Sequence, residues 1–243
     1  MNLVIDRGNT QLKYGIFDQC QLIHSDLSDF LDKKNIKHLN DRFHIQRIII
    51  SSVVKERHDE LLANLSAITP TVIDLQYNTP LPFDWQYNTK ETIGKDRLAA
   101  VAGAISLYPN NDLLVIDAGT AITYELVKDG IYMGGNISPG LSMRFKALNH
   151  FTSRLPLLSK EDNTPLIGSS TAEAITAGVQ NGLTFEIDGL IEELSPQYES
   201  LKTIITGGDA EFFARKLKNP IFVHPNLVLI GLNRILEYNA QYI

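Results

Sequence analysis

The sequence predicts two similar α/β domains facing each other, and three observations carry that prediction. The chain opens on a strand–turn–strand pattern: Leu3-Val4-Ile5-Asp6, then Arg7-Gly8-Asn9-Thr10, then a second apolar-rich segment from Leu12 to Phe17. The same opening returns at Leu114-Val115-Ile116-Asp117-Ala118-Gly119-Thr120, with the apolar triplet, the Asp and the Gly in register. Each opening leads into segments that read as further strands and helices. A pattern used once at the start of the chain and again at the start of its second half points to a duplicated unit. The expected domains are residues 1–111 and 112–243.

In the first half, a third strand is expected near Gln21–His24 and a helix near Asp26–Lys37. A buried strand at Arg47–Ser52 has Ile48-Ile49-Ile50 at its centre, and a helix covers roughly Lys55–Leu65. Residues Tyr77–Thr92 hold Pro80, Pro82, aromatics and several Asn and Thr. They read as a long loop, and long loops in compact domains are often functional. A helix opens near Gly94 and runs to about Leu107, and Pro109-Asn110-Asn111 ends the half. In the second half, strands are expected at Ala121–Val127 and Ile131–Ile137, joined by a turn at Lys128-Asp129-Gly130. Helices follow near Leu141–His150, Thr171–Leu194, Ala210–Leu217 and Asn226–Tyr238, with strands near Thr203–Thr206 and Ile221–Val223.

The 243 residues suffice for one large or two modest cores. Apolar residues make up 44% and charged residues 21%, and the net charge is −6. No Lys/Arg run marks a nucleic-acid face, so nucleic acid is not expected as a partner. The single cysteine, Cys20, forms no internal disulfide, and no Cys/His cluster has zinc spacing. The first residues do not read as a signal peptide, and no apolar stretch is long enough to span a bilayer. A cytoplasmic protein with no membrane partner is expected.

An Asp-x-Gly-(Asn/Thr) turn between two strands suits phosphate. The Gly lets the backbone come close to a ligand. Neighbouring N–H groups and the Asn or Thr side chain then donate to phosphate oxygens. The Asp is repelled by phosphate unless a cation stands between, so Asp6 and Asp117 suggest Mg²⁺, a monovalent cation or their water shells. Lys13 can reach back toward nucleotide phosphates. The bland alternative, two plain hairpins, weakens because the pattern occurs twice. No G-x-x-x-x-G-K-[ST] loop occurs, and no G-x-G-x-x-G follows the first strand. Thr206-Gly207-Gly208-Asp209 lies at a strand-to-helix junction. It reads either as a turn with Asp209 as N-cap or as a surface for a flat ligand or phosphate.

These residues resemble a known group. Asp6-x-Gly8-Asn9-Thr10, Asp117-x-Gly119-Thr120 and Gly207-Gly208 look like the two phosphate motifs and the adenosine motif of the actin, sugar kinase and heat-shock ATPase superfamily. Gly94-Lys95-Asp96-Arg97 resembles the G-x-D-R motif of type III pantothenate kinases. Gly134-Gly135-Asn136-Ile137-Ser138-Pro139-Gly140 and Ile167-Gly168-Ser169-Ser170-Thr171 resemble two later segments of that family. The resemblance implies two ribonuclease H-like domains, each a mixed sheet flanked by helices, with the active site in the cleft between them. It implies ATP-dependent phosphorylation of pantothenate, the first step of coenzyme A biosynthesis. Asp6, Arg7, Gly8, Asn9, Thr10, Gln11, Leu12 and Lys13 would form the first ATP loop, and Thr120 would contact ATP. Asp117 would help hold K⁺ or NH₄⁺, and Asp6 would meet Mg²⁺ through water. Gly94, Lys95, Asp96 and Arg97 would line the pantothenate pocket, with Asp96 as proton acceptor, and Tyr87 and Thr171 would touch the substrate. Thr171 would come from the second subunit of a homodimer. Arg7 departs from the small or apolar residue usual at that position, and nothing is carried over to Leu141–Pro165.

Each residue also has a plainer reading. Asp96, in the first turn of a helix, suits the helix dipole, and Arg97 suits a solvated helix face. As a functional residue, Arg97 is a handle for an anion, either a substrate carboxylate or the transferring phosphoryl group. Thr171 reads more readily as the N-cap of the helix Ala172–Leu183 than as a ligand contact, and the two roles are compatible. The rival functions are another small-alcohol kinase of the superfamily, a non-catalytic regulatory protein, and an actin-like filament protein. Intact Asp6, Asp96 and Asp117 favour an enzyme.

Overall fold

Apolar residues fill both faces of the strand that opens each half, which makes both of them central strands. The computed structural model describes residues 1–198 and 200–241. The first half runs β1 (Asn2–Arg7), β2 (Leu12–Asp18), β3 (Gln21–Ser28), α1 (Lys33–Phe43), β4 (Arg47–Ser52), α2 (His58–Ser66), β5 (Val72–Asp74), β6 (Asp84–Trp85) and α3 (Lys95–Leu107). The second runs β7 (Leu113–Ala118), β8 (Ala121–Lys128), β9 (Ile131–Pro139), α4 (Leu141–His150), α5 (Thr171–Leu194), β10 (Lys202–Thr206), α6 (Ala210–Ala214), β11 (Phe222–Val223) and α7 (Leu227–Asn239).

The first unit holds Met1–Asn110, the short stretch Gly130–Tyr132 and the residues from Asn226 on. Its sheet has the order β3-β2-β1-β4-β5. β2 is antiparallel to β1 and β3, while β4 is parallel to β1 and β5. Successive side chains of a strand point to opposite faces. Leu3, Ile5, Ile48 and Ile50 therefore pack with Ile36 and Leu39 of α1 and Leu61 and Leu65 of α2. Val4, Phe17 and Ile49 pack on the other face with Ala99 and Ala102 of α3 and Leu232 and Ile235 of α7. Each of these large side chains contributes roughly 1.5–3 kcal/mol through burial.

The sequence expected α7 within residues 112–243, but its contacts place it in the first unit. Leu229, Leu232, Ile235 and Leu236 form a helical stripe against the sheet. Asn2 Nδ2 donates to Asn233 Oδ1 at 2.9 Å, and Arg47 pairs with Glu237 at 3.2 Å. α1 also starts later than the expected Asp26, because β3 continues through Ser28. Asp32 then caps the helix: its side chain accepts from Asn35 N at 2.7 Å, and Asn35 Oδ1 accepts from Asp32 N at 3.2 Å.

The second unit holds Asn111–Asp129 and Met133–Pro225. Its strands run in the order β11-β10-β7-β8-β9, which repeats the first sheet strand for strand. Leu114 and Ile116 pack with Phe145 of α4, Leu183 and Ile187 of α5 and Phe213 of α6. The expected turn between β8 and β9 is present. Asp129 (φ 51°) and Gly130 (φ 75°) are both left-handed, as a two-residue hairpin of this hand requires. Two duplicated mixed sheets with helices on their faces are thus what the sequence led one to expect. Two residues of the long loop, Asp84–Trp85, form β6 and pair in parallel with Ile131–Tyr132. That strand is too short for any pattern to announce it.

Candidate active site

The first phosphate motif sits where β1 ends. Gly8 N donates to Gln11 O at 3.1 Å and closes the turn, leaving Asn9, Thr10 and Gln11 exposed. Register places Lys13 of β2 and Ser51 of β4 directly beside Asp6. The row Lys13–Asp6–Ser51 thus crosses three strands on the Val4 face. Ser51 is fully buried, and its hydroxyl makes no hydrogen bond. Arg7 points to the opposite face, with its guanidinium 5.7 Å from the centre of the Phe30 ring. Leu12 is buried in the core. Both therefore offer the loop their backbone rather than their side chains.

The second motif is built the same way. Gly119 N donates to Ala121 O at 3.1 Å, and Thr120 is exposed. The equivalent row is Thr123–Asp117–Thr206, across β8, β7 and β10. Gly207 follows Thr206 with φ +92°, and a Cβ there would lie 2.5 Å from Asp117 Oδ1. Only glycine fits this turn. Gly140 N donates to Thr120 O at 3.1 Å, which ties the start of α4 to the loop. Asp209 stands at the N-cap position of α6 but makes no capping bond. Its carboxylate accepts from Lys160 Nζ at 2.5 Å instead. Beside it is a cavity of about 590 Å³ lined by Leu141, Phe145, Lys146, Leu157, Lys160 and Asp209.

The Gly94-Lys95-Asp96-Arg97 segment forms the N-terminus of α3, with Gly94 as N-cap. A Cβ at Gly94 would stand 2.5 Å from Asp96 Oδ1. Asp96 Oδ1 accepts from Arg97 N at 2.9 Å, which turns the carboxylate along the helix start. Arg97 is only 5% exposed, which overturns its reading as a solvated charge. Its Nη1 donates to Tyr87 Oη at 3.5 Å and its Nη2 to Tyr132 Oη at 3.1 Å. The Tyr87 and Tyr132 rings stack with centres 6.2 Å apart. Gln86 N donates to Tyr132 O at 2.8 Å, anchoring the loop that carries Tyr87. Sequence reasoning missed Tyr132, because it reads there as one more apolar residue in a strand.

Thr171 is exposed at the first position of α5. The cap itself is Ser170, whose Oγ accepts from Glu173 N at 3.2 Å, so Thr171 is not the N-cap. Arg144 joins the end of β9 to α5, donating to Pro139 O at 2.8 Å, Ser138 Oγ at 2.9 Å and Glu186. Tyr124 Oη donates to Glu186 Oε1 at 2.9 Å. Burial and the Glu186 charge push the Tyr124 hydroxyl well above its usual range. Burial raises the Glu186 carboxyl, but hydrogen bonds from Arg144, Tyr124 and Ser138 outweigh it and leave the group below its usual value.

The sequence pattern of type III pantothenate kinases matches residues 2–193. That span covers most of the chain and takes in both phosphate motifs and the α3 N-terminus. The chain belongs to the type III pantothenate kinase family. The type III pantothenate kinase of Phocaeicola vulgatus is 45% identical over 242 residues, covering 99% of this chain and 100% of that one. A solved Campylobacter jejuni protein, described as a candidate Baf family transcriptional activator, superposes with a TM-score of 0.65. It is 25% identical and covers 98% of this chain and 99% of its own. A ROK family glucokinase from Streptomyces griseus shares the fold at a TM-score of 0.55, with 10% identity and coverage of 98% and 99%. Among the described residues, no helix is long and apolar enough to cross a membrane. None of their His, Cys, Asp and Glu side chains gather in threes to hold a metal. A cation here would be bound by single carboxylates such as Asp6 and Asp117, completed by phosphate oxygens and water.

Proposed function

We propose that this chain phosphorylates the primary hydroxyl of pantothenate with ATP, the first step of coenzyme A biosynthesis. The observation that carries the reading is the α3 N-terminus of a family member. There a carboxylate and a buried guanidinium stand side by side, and two stacked tyrosines fix the guanidinium. Asp96 accepts the proton as the hydroxyl oxygen attacks the γ-phosphorus. The new P–O bond forms as the bond to the ADP oxygen breaks. A carboxylate is a weak base, but the transition state of phosphoryl transfer is loose and the proton can leave late. Positioning and charge stabilisation therefore carry most of the acceleration. Arg97 and Tyr87, with Gly94 and Lys95, hold the acceptor.

Backbone and side chains from Asp6 to Lys13, with Thr120, hold the ATP phosphates. Mg²⁺, held by Asp6 through water, and K⁺ or NH₄⁺, held by Asp117, would neutralise phosphate charge when bound. Both carboxylates are partly exposed at strand ends beside a glycine turn, which suits that role. A homodimer in which Thr171 reaches the partner's substrate fits the apolar side chains that the second unit leaves uncovered. Ile137, Phe151, Leu166, Ile167 and Phe185 are 64%, 82%, 69%, 82% and 52% exposed. The chain would work in the cytoplasm, where ATP is available.

The test is ADP release with Mg²⁺, with and without D-pantothenate, in K⁺ or NH₄⁺ buffer, with Asp96→Asn alongside. Pantothenate-dependent turnover that falls by about 10²–10⁴-fold in the variant is expected. Folded protein without any pantothenate dependence would overturn the assignment. It would turn attention to other alcohols or to the regulatory role suggested for the Campylobacter relative.

A further inference from the structure

The carboxylate of Asp74 joins three elements of the first unit. Asp74 ends β5, level with Ile50 of β4. Its Oδ2 lies 3.0 Å from His58 Nε2, in the first turn of α2, and accepts from Gln76 Nε2 at 2.8 Å. Its Oδ1 is shielded from solvent, makes no hydrogen bond and faces the Lys95 ammonium at 3.6 Å. Lys95 is the first residue of α3 and directly precedes Asp96. The three side chains are well covered: Asp74 is 25% exposed, His58 17% and Lys95 21%.

A shielded carboxylate oxygen without a hydrogen bond is costly, and such costs tend to persist where function needs them. The atoms of this kind among the described residues are Arg7 Nη1, Ser51 Oγ, His58 Nδ1 and Asp74 Oδ1. They lie at or beyond the carboxyl ends of the parallel strands β1, β4 and β5, the edge where open α/β sheets bind ligands. Lys95 and Asp96 are adjacent on α3, so they project about 100° apart. Without Asp74 the first turn of α3 would lose its tie to β5, and the Asp96 carboxylate that it carries would lose its fixed place.

We infer that Asp74 is a positioning residue for the phosphoryl acceptor: it draws the Lys95 ammonium to the end of β5 and so anchors the first turn of α3, which carries the Asp96 carboxylate. The inference rests on the reading of Asp96 as proton acceptor. The experiment compares Asp74→Asn, Lys95→Met and the double variant in steady-state kinetics, with amide exchange at Arg97 and Leu98. Asp74→Asn should lower kcat/KM for pantothenate by about 10²-fold, the scale of a small misplacement, and leave KM for ATP within about twofold. The double variant should be no worse than Lys95→Met, because one contact is being removed twice. Exchange at Arg97 and Leu98 should quicken in Asp74→Asn. Equal losses for ATP and pantothenate, additive losses, or unchanged exchange would overturn the inference. Should Asp74→Asn not fold, Lys95→Met carries the exchange test: unchanged exchange at Arg97 and Leu98 in it would overturn the inference. Wild-type protein without pantothenate-dependent turnover would instead sink the functional reading, while the exchange result would still judge Asp74.

Discussion

The two glycine turns that follow β1 and β7 share one scaffold and differ in two details. Both follow a central strand with the same pattern of burial, and both place an Asp between two polar neighbours on adjacent strands. In the first unit the neighbours are Lys13 and Ser51; in the second they are Thr123 and Thr206. The first turn also has one more residue, since Gly8–Gln11 bridge Arg7 and Leu12 whereas Gly119–Ala121 bridge Ala118 and Ile122. A duplicated fold thus supplies two similar cradles, and single side chains then specialise them. The first copy sets a lysine beside its Asp and the second sets two hydroxyls there, the difference on which the proposed division into a phosphate-binding and a cation-binding copy rests.

The sharpest way to break this comparison is to exchange the charged neighbour for a neutral one. Lys13→Met should lower kcat/KM for ATP by about 10²-fold or more, as losing one preorganised donor to a transferring phosphoryl group does. Thr123→Val should cost less than about threefold, and similar losses in both would mean that the copies are not specialised. The cation side is tested by ion exchange. Replacing K⁺ with Na⁺ should slow the wild type by about tenfold, whereas Asp117→Asn should be slow in both salts, because the charge that holds the ion is gone. A variant still sensitive to K⁺ would move the cation elsewhere.

Stability should separate the turns as well. Gly207→Ala should destabilise the protein by about 1–3 kcal/mol, since alanine meets both the left-handed backbone and the Asp117 carboxylate. Gly8→Ala, whose Cβ would meet only Gln11 O at 3.4 Å, should cost less than about 1 kcal/mol. Thermal or urea unfolding decides between them. The smallest effect expected is a pH dependence in the second unit. The folded Glu186 carboxyl is held below its unfolded value, so its contribution is present above about pH 4.5 and fades as pH falls through the folded value. The pair with Arg144 is partly exposed, so solvent screening keeps it below about 1 kcal/mol. Glu186→Gln should remove that part of the acid sensitivity, as read from unfolding at pH 3–6.

Much of the scaffold was legible in the chain. Leu3-Val4-Ile5-Asp6 and Leu114-Val115-Ile116-Asp117 announced two central strands and two turns, because burial on both faces forces an apolar run and tight turns between strands favour glycine. α5 was expected at Thr171–Leu194 and lies there, since a long apolar stripe of helical period has few alternatives. β6 was not legible, because a strand of two residues has no period to read. Nor was the capping role of Ser170, since Ser-Ser-Thr offers adjacent candidates of similar merit.

By itself the sequence determined the two α/β halves, the glycine turns and the residue types able to meet phosphate, a cation and a hydroxyl. Only the tertiary structure decided that Tyr132 and Tyr87 clasp Arg97, that Asp74 draws on Lys95, and that α7 joins the first unit. The physical reason is one of range. Propensity, periodicity and turn chemistry act among residues near in sequence. A buried charge instead takes its partners from whatever strands and helices the packing of distant apolar faces brings beside it.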